Sequence, residues 1–239
     1  MASNNHSSVT EFTLQSFSKS PQVQIFIFSL FLGLFIVAFT GNSLIVIVLS
    51  LNPGLHTPMY FFLINLAFLD VLSASTVVPK LLQNLVTKNT ISYGGCIAQI
   101  YFLTWCLGAE VLVFIAMAYD RYVAICQPLH YSTIMSKAAC FLITSAVWAI
   151  SQINTTIHII MSLRLSFCGP DFMDQFFCEI PPLLPLYCSS TYINNDMALV
   201  ADMFYAVFNF LLILLSYDFI ISSLLKIRTK EGNTDYYIL

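Results

Sequence analysis

The stretch Met117-Ala118-Tyr119-Asp120-Arg121-Tyr122-Val123-Ala124-Ile125-Cys126 ends a long apolar segment with an adjacent acid and base. Ionisable side chains at membrane depth are costly and usually have a role. The pair falls where a helix would leave the bilayer, so we interpret Asp120 and Arg121 as a candidate switch. The stretch therefore predicts a membrane-spanning helix that ends near Cys126.

The composition predicts a membrane protein. Of 239 residues, 58% are hydrophobic and 9% are charged, against roughly 25% charged in ordinary soluble domains. No Asp, Glu, Lys or Arg occurs between Lys19 and Asp70, whereas a soluble surface needs charge. A membrane span needs about 20 apolar residues, and this chain holds several such stretches. The net charge of −3 indicates neither a nucleic-acid partner nor an anionic membrane partner.

Helix caps and breakers divide the chain into five predicted transmembrane helices. Asn52-Pro53-Gly54 is a turn signal after the first helix, and Thr57 followed by Pro58 marks the start of the second. Gln127-Pro128 ends the third, and Ser136 caps the fourth. The predicted fold class is an all-α transmembrane helical bundle, with helices at about 24–51, 57–79, 93–126, 136–163 and 196–225.

The segments outside these helices indicate how the chain is oriented in the membrane. Residues 1–23 are a mobile tail without the basic start of a signal peptide, and residues 164–195 are a long loop on the same side. Basic residues divide five to four between the two sides, which does not decide the orientation. The basic cluster in the 226–239 tail and the cysteines favour an outer N-terminus. Asn5 would then be a candidate glycosylation acceptor.

Seven cysteines divide by their predicted depth. Four lie on the side of the N-terminus, where an oxidising compartment would allow disulfides, and spacing alone leaves all three pairings open. These four are Cys96, Cys168, Cys178 and Cys188. The other three, Cys106, Cys126 and Cys140, lie in or below the membrane and are predicted to stay reduced. A zinc site is the alternative, but no CxxC pair or nearby histidine supports it.

Several motifs resemble those of one receptor family. They are Gly41-Asn42, Leu55-His56-Thr57-Pro58-Met59-Tyr60-Phe61-Phe62-Leu63, the 117–126 stretch, Pro128-Leu129-His130-Tyr131 and Ser216-Tyr217. Over about residues 5–232 the chain resembles the olfactory receptors of the rhodopsin-like G-protein-coupled receptor superfamily. The resemblance implies disulfides Cys96–Cys178 and Cys168–Cys188. It also implies seven helices, of which five are present, and we expect a chain truncated by a frameshift, a splice variant or an early stop.

The same resemblance implies a G-protein site at the inner end of the third helix. Its residues would be Asp120, Arg121, Tyr122 and Tyr217. Arg121 would pair with Asp120 at rest and contact the G protein on activation, because its guanidinium stays charged and bonds carboxylates in two places. The alternative is that Arg121 is only an interfacial anchor, whose side chain extends so that its charge lies at the polar membrane surface.

Two further sets of residues complete the predicted sites. An odorant pocket between the third, fourth and fifth helices would suit small apolar ligands, although interhelical packing is the alternative for each residue. Its candidates are Leu103, Thr104, Leu107, Gly108, His158, Asp202 and Tyr205. The resemblance also implies a central cluster of Asn42, Asp70 and Glu110. This cluster could hold a sodium ion, or it could be a hydrogen-bonded group with one carboxyl protonated.

The predicted function is an odorant receptor of the plasma membrane that couples to a heterotrimeric G protein and could form receptor oligomers. The alternative is a receptor-derived membrane fragment that does not signal. A transporter would show repeated halves and broken helices, and neither is evident. The sequence carries no phosphate loop, metalloprotease motif or catalytic Ser/His/Asp set, so an enzyme is not predicted.

Overall fold

The computed structural model describes residues 10–18, 20–164, 172–183 and 186, together with residues 200, 203, 207, 210, 211 and 214. Within these residues four helices are long and apolar enough to span a membrane, which confirms the predicted fold class. They are α1 (Pro21–Leu51), α2 (Pro58–Val86), α3 (Tyr93–Cys126) and α5 (Lys137–Leu163). Two short helices, α4 (Tyr131–Ile134) and α6 (Ile180–Leu183), lie outside the spans. The predicted fifth span lies mostly outside the described residues, and its six described positions are helical.

The helices pack in chain order. Helix α1 packs on α2, α2 on α3, and α3 on α5. The outer face of α1 exposes large apolar side chains such as Phe26 and Val37, as expected of a surface that meets acyl chains. With 34 residues, α3 is about 50 Å long, whereas the hydrocarbon core is about 30 Å thick. Helix α3 must therefore tilt or extend beyond the hydrocarbon.

Hydroxyl caps set the starts of α2 and α5. Thr57 Oγ1 accepts from the Tyr60 backbone N–H at 3.4 Å, directly before Pro58 at the first helical position. Ser136 Oγ accepts from the Ala139 N–H at 3.3 Å. Both caps lie where the sequence predicts them, because a hydroxyl can bond one of the donors that a helix start leaves without a partner.

The predicted end of the second helix near Pro79 is wrong, because α2 continues to Val86. A proline lacks an N–H and leaves the carbonyl four residues earlier, here that of Ser75, without its helical donor. Transmembrane helices tolerate this where neighbouring side chains bond the backbone around the break. Gln99 of α3 does so, since its Nε2 donates to the adjacent Thr76 carbonyl oxygen at 3.1 Å.

Within the predicted N-terminal tail, residues 11–14 form a strand, and α1 begins at Pro21. The sheet has the order β2 (Thr90–Ser92), β1 (Glu11–Leu14), β3 (Phe172–Met173). Strand β1 is antiparallel to β2 and parallel to β3. Its alternate side chains Phe12 and Leu14 are buried, which explains why so short a strand is held in place.

Two apolar clusters form the core, one at each end of the bundle. The cluster beneath the sheet joins Phe12, Leu14 and Ile91 to residues of α3 and α6. Beside it, the rings of Phe17 and Phe176 stack with centroids 3.8 Å apart. The second cluster joins α2, α3 and α5 towards the other end. Cys106 and Cys140 are buried there as free thiols, as predicted.

Candidate functional site

Asp120 lies near the end of α3 that is remote from the sheet. It is 2% exposed, and its Oδ1 accepts a hydrogen bond from the Tyr131 hydroxyl at 2.8 Å. Tyr131 is the first residue of α4, so the chain after α3 folds back onto the acid. Burial first, and then the hydrogen bond to Asp120, raises the pKa of Tyr131 to about 12. The hydroxyl therefore keeps its proton, and donates it, at neutral pH.

Arg121, in contrast, is exposed. The expected Arg121–Asp120 pairing is corrected by the structure: in the described part of the chain Asp120 bonds to Tyr131, and Arg121 forms no ion pair. The reason is geometric, because adjacent residues on an α-helix do not face each other. Burying Asp120 against α4 turns Arg121 outward. Tyr122 packs against the apolar cluster at this end, and Tyr217 lies outside the described residues.

The central polar cluster is assembled in part. Ser73 Oγ donates to Glu110 Oε1 at 3.4 Å and lies 3.2 Å from the Asp70 carbonyl oxygen. Asp70 lies one turn before Ser73 on α2, so it shares a helix face with the residue that bonds Glu110. Asn42 instead bonds within α1, since its Nδ2 donates to the Ala38 carbonyl oxygen at 3.1 Å. No local sequence pattern singles out Ser73, because a helical serine commonly bonds only its own backbone.

The predicted ligand residues are described only in part. On α3, Leu103 and Thr104 are half-buried and Leu107 is exposed. A Cβ atom at Gly108 would lie 3.8 Å from the Ser151 side chain, an ordinary contact distance, so Gly108 faces α5. His158 is half-buried on α5. Asp202 and Tyr205 lie outside the described residues, so the structure describes only the α3 and α5 sides of the predicted pocket.

The loop that would cover this pocket is tied to α3 by a disulfide. Cys96 in the first turn of α3 is bonded to Cys178, with the two Cα atoms 5.4 Å apart, as the resemblance implies. The expected Cys168–Cys188 pair and the candidate acceptor Asn5 lie outside the described residues.

Gln99 joins the same loop to two helices. It is 4% exposed, and its Oε1 accepts from the Cys178 backbone N–H at 2.9 Å. Its Nε2 donates to Thr76 beside the proline of α2. The sequence analysis missed Gln99, whose only signal is an amide side chain one turn after Cys96 in an apolar segment.

Trp148 makes a second polar link between helices that the sequence analysis did not single out. Its Nε1 donates to Asn65 Oδ1 of α2 at 3.2 Å. Its ring also meets that of Trp105 of α3 edge to face, with centroids 5.3 Å apart. One hydrogen bond and one aromatic pair of Trp148 therefore join α5 to α2 and α3 in the middle of the bundle. These contacts lie between the Asp120–Arg121 doublet at one end and the predicted ligand residues towards the other.

Comparison with known proteins agrees with this architecture. A family model described as "7 transmembrane receptor (rhodopsin family)" matches residues 41–236. Human "Olfactory receptor 13A1" is 54% identical over 95% of the chain and 70% of its own length. Human "Olfactory receptor 13G1" is 51% identical over 95% and 75%, and rat "Olfactory receptor 1f45" is 42% identical over 97% and 74%.

Proposed function

Because this chain belongs to the olfactory receptors of the rhodopsin family of seven-transmembrane receptors, we propose that it binds small odorants and passes the signal to a heterotrimeric G protein. Family membership and the apolar helices make it a multi-pass plasma-membrane protein of a signalling, non-enzymatic class. The observation that carries the proposal is the separation of the doublet: Asp120 is held inside by Tyr131, and Arg121 is exposed beside it.

The exposed guanidinium gives the doublet its proposed role. Arg121 keeps its charge and presents several N–H donors in a fixed plane, which suits the carbonyl-rich end of a partner helix. Asp120 and Tyr131 act as positioning residues, because their bond fixes the rotation of α3 at this end. Tyr217 is proposed to assist from the fifth helix.

The odorant is proposed to bind between α3, α5 and the predicted fifth span at about 196–225, beneath the disulfide-tied loop. Leu103, Thr104 and Leu107 would supply an apolar surface, and His158 a polar group. Asp202 and Tyr205 are proposed to complete the pocket. Such a mostly apolar site with few polar groups suits a small volatile molecule. Gly108, which faces Ser151 of α5, stays a proposed contact.

A sodium ion in the bundle centre is part of the proposal. The Ser73 hydroxyl donates to Glu110 Oε1 at 3.4 Å, and Asp70 lies one turn before Ser73 on α2. Hard oxygen ligands of this kind fit a small hard cation. These three residues would hold the ion, which would offset the repulsion of two nearby carboxylates. We leave Asn42 out of the proposed ligands, because its Nδ2 donates within α1.

The sheet end is proposed to face outward and the Arg121 end the cytosol. The Cys96–Cys178 disulfide supports this orientation, because disulfides persist in oxidising compartments. Asn5 would then be on the glycosylated side.

A signalling assay with a matched control tests the proposal. The chain, with an N-terminal tag, is expressed in cells that carry the olfactory G protein, and surface display and cyclic AMP are measured across an odorant panel. Arg121→Gln should abolish the response at unchanged surface display. Tyr119→Phe, two residues away on an exposed face, should leave the response intact. If the unaltered chain and Tyr119→Phe reach the cell surface but give no response, the alternative of a membrane protein that does not signal is favoured.

A further inference from the structure

A cavity of about 530 Å³ opens at the Arg121 end of the bundle, between the end of α1 and the starts of α2 and α5. Its volume falls within the range of about 300–1,000 Å³ typical of ligand sites. It lies at the opposite end from the disulfide-tied loop, so it is separate from the proposed odorant pocket.

The cavity walls are apolar in the first two turns of α2 and α5, just inside the ends of these membrane-spanning helices. Phe61 and Ile64 of α2 face it from one side, and Phe141 of α5 faces it from the other. Phe141 is 69% exposed on a helix that spans the membrane. An apolar wall exposed at this depth meets acyl chains rather than water.

The mouth of the cavity is basic. Lys137 lines it and is exposed, and it forms no ion pair with another described residue. His56 lines the same mouth, where its Nε2 lies 3.3 Å from the Ser50 carbonyl oxygen and fixes the loop to α1. None of the described lining residues is acidic.

Two helix N-termini strengthen this positive character. Helix α2 begins after Thr57 and α5 begins with Lys137, and both residues line the cavity. The N-terminal end of a helix carries partial positive charge and favours anions. The small negative net charge of the chain does not reveal this local arrangement.

We propose that this cavity binds an anionic glycerophospholipid of the inner leaflet. The phosphate lies at Lys137 and the helix starts, and one acyl chain lies along Phe61, Ile64 and Phe141. The assignment of the inner leaflet rests on the proposed orientation, and the site itself goes beyond the proposed signalling function. Basic pockets between transmembrane helices on the cytoplasmic side recognise anionic head groups in this way.

The test uses photoactivatable lipids and needs no odorant. The purified chain is placed in phosphatidylcholine nanodiscs containing a trace of phosphatidylserine with a diazirine in its acyl chain. After illumination, labelled peptides are identified by mass spectrometry. We expect labelling within residues 61–64 and 135–141, and stronger labelling than with a phosphatidylcholine probe of the same chain.

Three variants make the test specific to head-group charge. Lys137→Gln should lower phosphatidylserine labelling about fivefold, the effect of one basic residue at an anionic surface, and Lys137→Arg should retain it. Lys88→Gln, at the other end of the bundle, should change nothing. Equal labelling by both probes would mean ordinary annular lipid and would overturn the proposal. Loss of labelling on addition of cholesterol would assign the cavity to a sterol and would overturn it as well. Neither result would bear on odorant signalling.

Discussion

Replacing Gln99 with leucine should loosen the disulfide-tied loop. Gln99 is almost fully buried and bonds the Cys178 N–H and the Thr76 carbonyl oxygen. Leucine fills a similar volume but offers neither a donor nor an acceptor. The Cys178 N–H would be left without a partner, which costs about 1–3 kcal/mol. The Thr76 carbonyl keeps its helical donor and loses a second bond, worth about 0.5–1.5 kcal/mol, so we expect a total loss of roughly 2–4 kcal/mol.

The loss is measurable as a lower melting temperature of the purified chain in detergent under non-reducing conditions. For chains of 150–250 residues 1 kcal/mol corresponds to about 2–4 °C, so Gln99→Leu should lower the Tm by roughly 4–16 °C. The matched control is Gln152→Leu, the same change at an exposed position of α5, which should leave the Tm unchanged. If the two variants melt together, the two bonds of Gln99 do not hold the loop and the reasoning is refuted.

Three further predictions concern the two ends of the bundle. Tyr131→Phe removes the hydrogen bond to Asp120 and should lower the free energy of unfolding by about 1.5–3 kcal/mol. The measurement is the Tm of this variant compared with that of Tyr119→Phe, and equal Tm values would contradict the prediction. Burial and Asp120 raise the pKa of Tyr131, so its contribution to stability is complete below the ordinary tyrosine pKa and is lost as pH rises through about 12. A difference titration of tyrosinate absorbance between the chain and Tyr131→Phe should show one group ionising near that pH, and a group ionising near the ordinary value would contradict it. Phe12→Ala should lower the free energy of unfolding by about 3–5 kcal/mol and remove hydrogen-exchange protection from β1. The control is Thr13→Ala at an exposed position of the same strand, which should keep this protection. Retained protection in Phe12→Ala would show that burial of this ring does not hold the strand.

The helices were predictable because their signals are local. Thr57 with Pro58, Ser136, and Gln127-Pro128 mark helix ends through hydrogen bonds or steric limits within one turn, and the structure places helix ends at these residues. The Cys96–Cys178 disulfide followed from the family resemblance, since spacing alone left three pairings open.

The errors arise where tertiary contacts override local signals. Pro79 usually ends a soluble helix, but Gln99 of a neighbouring helix bonds the backbone beside the break. Residues 11–14 are too few to predict a strand, and only burial of Phe12 and Leu14 beneath partner segments distant in sequence fixes them. The family resemblance implies an ion pair between Asp120 and Arg121. On the helix these adjacent side chains point in different directions, and Asp120 accepts a hydrogen bond from Tyr131 instead.

The central claim is that the bundle crosses the membrane with its sheet outside and the Arg121 end in the cytosol. Labelling with a membrane-impermeant maleimide tests it directly, with Lys88→Cys at the sheet end and Ser132→Cys, exposed on α4 beside the doublet, measured against the unaltered chain. We predict that Lys88→Cys is labelled in intact cells and that Ser132→Cys is labelled only after permeabilisation. Labelling of Ser132→Cys from outside intact cells would contradict the account.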